Sequence, residues 1–70
     1  MFDYRQLQWE QFTKDNVKYE FELWFDEGLY HVMVSKDYTQ HFYKWYNRKS
    51  EAYDDFKALY EDITSDYLPY

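Results

Sequence analysis

The side chains able to do acid–base or metal chemistry are two histidines and fourteen acids. His31 and His41 fall on neighbouring strand-like runs, so pairing of those runs would bring them together. A metal there would also need carboxylates and a supporting layer of hydrogen bonds, which the spacing does not provide. Surface histidines are the simpler reading. Glu20 and Glu22 are two apart on a strand and share a face. Retaining glycosidases hold such a pair ~5 Å apart in a deep cleft, and a one-layer domain of this size seldom encloses one. No nucleophile elbow, phosphate-binding loop, H-E-x-x-H or zinc-finger pattern occurs. Cysteine is absent, which excludes thiolate metal sites and disulfides. The expectation is a protein without catalysis, metal or cofactor.

The acids and ten tyrosines point instead to recognition. On a helix over 50–64, at ~100° per residue, Glu51, Asp54, Asp55, Glu61 and Asp62 share one outer arc opposite the apolar stripe. They extend over ~16 Å of axis and match a groove lined with Lys and Arg. Tyr46, Tyr53 and Tyr60 flank them. Tyrosine is rigid and amphipathic, and it is enriched where interfaces concentrate their energy. Two plainer readings stand beside this one: any helix on a sheet has a solvated polar face, and Tyr60 borders the apolar stripe, where it could be core.

A net charge of -6 opposes binding to nucleic acid or anionic lipid. Lys44, Arg48 and Lys49 form the only basic cluster, and Asp26, Glu27, Asp54 and Asp55 dilute it, so the aromatics lack the positive groove of a single-strand binder. No apolar run approaches the ~20 residues of a membrane span. "MFDYRQLQWE" has no apolar signal-peptide core. The cytoplasm is the expected location and a basic protein surface the expected partner.

These residues need a scaffold. One domain over 1–70 is expected, and at this length its core must be dense. Mean hydropathy is low, at -1.01, yet aromatics make up 27% of the chain and can fill a core. "VKYEFELWF" (17–25) alternates, with Val17, Tyr19, Phe21, Leu23 and Phe25 on one side and Trp24 on the other. "LYHVMVS" (29–35) alternates again after the chain's single glycine, so the two form a hairpin. Opposing Phe25 to Tyr30 gives the cleaner apolar face; opposing Phe25 to Leu29 is the alternative. "HFYKWYN" (41–47) fits a third strand, although Tyr38, Phe42, Trp45 and Tyr46 also have helical spacing. Ser50 is placed to cap the last helix. Ala52, Phe56, Leu59, Tyr60 and Ile63 form its stripe. Residues 3–14 read as a short helix capped by Asp3, though their apolar spacing is irregular. The fold class is α+β: a three-stranded antiparallel sheet covered by a C-terminal helix.

The stretch "ELWFDEGLYHVMVSKDYTQHFYKWYNRKSEAYDDFKALYEDI", residues 22–63, carries a resemblance. Its most characteristic part is "YNRKSEAYDDF", where a strand end passes into a helix. A tiny, acidic, cysteine-free βββα domain of this kind resembles small phage and mobile-element proteins. Among these are anti-CRISPR and other anti-defence inhibitors, several of them DNA mimics. The resemblance lies in composition and layout, and it transfers no binding residue. It implies a stoichiometric inhibitor of a host defence or nucleic-acid-handling protein, acting in the host cytoplasm. The alternative is a self-associating accessory module. One helix cannot cover both sides of an aromatic sheet, so a face bearing Trp24 would bury itself in a homodimer.

Overall fold

The computed structural model describes residues 4–64. Four antiparallel strands follow one another as a meander: β1 (Tyr4–Lys14), β2 (Val17–Asp26), β3 (Leu29–Lys36) and β4 (Thr39–Tyr46). One helix, α1 (Lys49–Thr64), closes the fold. The class is α+β as expected, with one more strand than the sequence reading assigns.

That strand is β1. The helix expected over 3–14 does not form, and Asp3, its supposed cap, lies outside the described residues. Leu7 and Phe12 are five apart, which fits neither a helix nor a regular strand. A bulge between Gln6 and Gln8 resolves the spacing. The extra residue shifts the phase, so Leu7 and Phe12 both pack against the core under the helix.

Each strand turns into the next through two residues: Asp15–Asn16, Glu27–Gly28 and Asp37–Tyr38. Their φ angles are 52° and 66°, 51° and 82°, and 50° and 68°. Positive φ at both centres gives the twist that matches paired strands. Gly28 adopts this at no steric cost. Tyr38 does not, and its turn is tied down elsewhere. Lys18 N–H donates to Asp37 Oδ1 (3.0 Å), and Asp37 N–H donates to the Lys18 carbonyl (2.8 Å). The Lys18 ammonium also sits 4.9 Å from the Tyr38 ring centroid and donates to its hydroxyl.

The hairpin register is the one that burial favours, with Phe25 opposite Tyr30. Phe21 and Leu23 pair with Val34 and Val32, and all four are fully buried under α1. In β4, Phe42, Lys44 and Tyr46 face the helix while Tyr43 and Trp45 face away, as strand alternation requires. Ala52 and Phe56 bring the helix onto this surface. The Phe56 ring meets Phe21 edge-on at 6.4 Å.

Ser50 is not the cap of α1. Ala52 N–H donates to the Arg48 carbonyl, and the residue whose carbonyl accepts the first helical bond is the N-cap. Arg48 therefore holds that position and Ser50 lies two residues inside. At the far end Thr64 Oγ1 donates to the Tyr60 carbonyl (2.7 Å), occupying one of the acceptors a helix terminus leaves open.

Candidate functional site: an acidic groove between β1 and α1

The helix rests chiefly on β2, β3 and β4. β1 therefore extends beyond it and leaves a groove. Glu10 pairs with Phe21 and Gln8 with Leu23, so both point to the helix side. Together with Tyr53, Asp54, Phe56, Lys57, Tyr60 and Glu61 they line a depression of about 490 Å³. Phe56 is buried, and Tyr53 and Tyr60 are half-buried. These three rings supply the aromatic surface. Glu10, Asp54 and Glu61 bring three carboxylates to the same place. Lys57, a cation in the lining, lies 3.9 Å from Glu61 on an exposed stretch of helix, where such a pair is worth little and holds the lysine loosely.

Four of the eight residues singled out from the sequence meet here: Tyr53, Asp54, Tyr60 and Glu61. Tyr60 borders both the groove and the core. It lines the groove, and its ring packs edge-on against Phe21 at 5.1 Å. Tyr53 carries the Lys49 ammonium 5.8 Å from its ring centroid. Gln8 and Glu10 were missed because β1 reads as a helix. The signal was the pair Asp15–Asn16 between Lys14 and Val17, two residues that tolerate positive φ and join strands as a tight turn.

The other four lie elsewhere. Tyr46 is not a surface anchor. It is 5% exposed, and its hydroxyl donates to Asp55 Oδ2 at 2.5 Å. Burial first, then the Asp55 acceptor, pushes the Tyr46 phenol well above its ordinary pKa. Asp55 is consequently half-buried and turned toward β4, away from the outer arc. Glu51 is exposed and borders a second depression with Tyr46, Asn47 and Asp55. Asp62 is exposed on the opposite flank of α1, near Phe42 and Leu59.

The two histidines do not meet. His31 pairs with Trp45 on the face away from the helix, while His41 is the unpaired residue of the bulge in β4, next to Asp62 and Ile63. His31 Nδ1 is 2.6 Å from the Tyr43 hydroxyl, and the two rings stack at 5.8 Å. Among the described residues no group of three or more His, Asp or Glu is placed to hold a metal ion. Among them, too, no helix is long and apolar enough to cross a membrane.

No family model, curated protein or solved structure matches this chain.

Proposed function

We propose that the protein is a non-catalytic binder that holds a basic segment of a protein partner in the groove between β1 and α1. The observation that carries this reading is the groove's make-up: three aromatic rings with carboxylates at Glu10, Asp54 and Glu61. A Lys or Arg side chain laid there gains contact for its methylene stem, a ring face for its charge and a carboxylate for its hydrogen bonds. The C-terminal end of the helix is charged against its dipole. Glu51 suits the positive first turn, but the last turn holds Glu61 and Asp62 with no basic residue. Each such placement costs roughly 0.3–1 kcal/mol at a surface, so these acids do not serve helix stability.

Partners of this chemistry include proteins that handle nucleic acid, because their own grooves are lined with Lys and Arg. A phage-type inhibitor of a host defence protein fits that description, with the carboxylates standing in for phosphates. The test compares the wild type with Glu10→Lys, Asp54→Lys and Glu61→Lys combined. Asp54 and Glu61 are exposed, and Glu10 is half-buried where the edge strand opens onto the groove, so circular dichroism must show that the reversed protein keeps the fold. Binding of an arginine-rich peptide, followed by calorimetry, should fall on the order of ten-fold or more. Wild-type affinity should also fall with added salt. If the reversed protein binds as tightly as the wild type, the groove is only a solvated surface.

A further inference from the structure

We infer that the sheet face opposite the helix is the interface of a homodimer, a surface separate from the acidic groove. All three tryptophans of the chain project from this face. Trp24, His31 and Trp45 form one row across the strands, and Trp9, Glu22, Met33 and Tyr43 form the next. Trp9, Tyr43 and Trp45 are 45%, 44% and 52% exposed, so close to half of each ring system is in contact with water. Scattered single apolar residues need no explanation, but a contiguous patch rimmed by polar residues marks an interaction surface. Here the rim is Gln11, Glu20, Ser35 and Gln40.

Size and shape identify the occupant. Four strands ~4.8 Å apart, each contributing about eight residues at ~3.3 Å, make a face of about 500 Å². Two such faces bury about 1,000 Å² together, which is the level a specific interface must reach. This face can be laid on itself by a two-fold axis, edge against opposite edge. It carries projecting rings at both edges, Trp9 on β1 and Trp45 on β4. Between them is a dimple of about 200 Å³ lined by Trp24, Asp26, His31, Met33 and Tyr43. A two-fold axis along the strands between β2 and β3 brings Trp9 of each copy over Tyr43 of the other. Glu22, the carboxylate nearest the centre, already accepts hydrogen bonds from Gln6 Nε2 (3.0 Å) and Trp24 Nε1 (3.1 Å). It therefore enters the interface with partners in place, which offsets much of the cost of burying it. Single-stranded nucleic acid is a poorer occupant, since β2 offers this face Glu20, Glu22 and Asp26 against Lys18 alone.

Each copy carries a net charge of -6, so the two repel one another. Added salt screens that repulsion and should tighten the dimer, whereas it weakens binding of a basic peptide. Sedimentation equilibrium from micromolar to millimolar protein, at low and high salt, separates the two surfaces. The expected result is a mass rising from 9.0 kDa toward twice that value, with more dimer at high salt. Trp9→Thr with Trp45→Thr keeps the charge and suits an exposed strand position. It should raise the dimer dissociation constant on the order of ten-fold or more, with the circular dichroism spectrum unchanged. The Glu10, Asp54 and Glu61 reversal should still dimerise. A monomer at every concentration and salt would overturn the proposal, as would a dimer indifferent to loss of both tryptophans.

Discussion

Tyr46 joins the sheet to the helix through one hydrogen bond, and its burial makes that bond matter. Removing the hydroxyl leaves Asp55 half-buried without its donor. Tyr46→Phe should therefore cost about 1–2 kcal/mol at neutral pH, measured by urea denaturation. The same residue sets a pH response. Its phenol holds the proton more tightly in the folded chain than in the unfolded one, where the pKa is ~10. Its stabilisation is complete below pH ~10 and is lost as pH rises through and beyond that value. Melting temperature should fall above pH ~10 in the wild type, and less steeply in Tyr46→Phe.

The elements differ in how well their ends are secured. The two-residue turns are suited to their strands, and one of them is tied to β2 by Lys18 and Asp37. The start of α1 is less well made. Arg48 at the N-cap has no short side-chain acceptor for the orphan N–H groups, and its charge faces the positive end of the helix. Arg48→Asn should stabilise the protein by about 0.5–2 kcal/mol. Ser50→Ala should be neutral or slightly stabilising, because Ser50 lies inside the helix, where alanine is the better former. Thermal melts of the two variants check both signs. A loss of stability in Ser50→Ala would return the cap to Ser50.

The described fold is thin, with extents of 44 × 24 × 15 Å. Among the described residues the enclosed core is Phe21, Leu23, Val32, Val34, Tyr46, Ala52 and Phe56. A core of this size seldom supplies more than ~3–5 kcal/mol of net stability. Phe56 holds the helix on the sheet through its contact with Phe21, and truncating a buried phenylalanine costs ~3–5 kcal/mol. Phe56→Ala should leave the chain largely unfolded at room temperature, with loss of its far-ultraviolet circular dichroism. So thin a molecule has two unlike surfaces to offer, the acidic groove on the helix side and the aromatic sheet face behind it. Pairing through the second would double the number of layers and shelter the tryptophans, while both grooves stay open.

Periodicity determined much of this protein from sequence by itself. The alternation in 17–25 and 29–35, the Phe25–Tyr30 register, the two-faced pattern of 41–47 and the stripe of α1 were all legible. In each, a regular repeat places apolar groups on one side, and burial then leaves one arrangement. The position of Trp24 on the uncovered face was legible for the same reason. Tertiary structure decided what the repeat does not encode. A bulge at Leu7 turned an irregular pattern into a strand, because one extra residue shifts side chains to the other face without changing composition. The backbone bond from Ala52 to Arg48 set the helix start, although Ser50 is the better capping residue by type. Tyr46 and Asp55 left the surface list because each found the other across the strand-to-helix junction. Glu10 reached Asp54 and Glu61 only through the pairing of β1 with β2. Contacts between residues forty to fifty apart in the chain depend on how layers stack, and a local pattern carries no record of that.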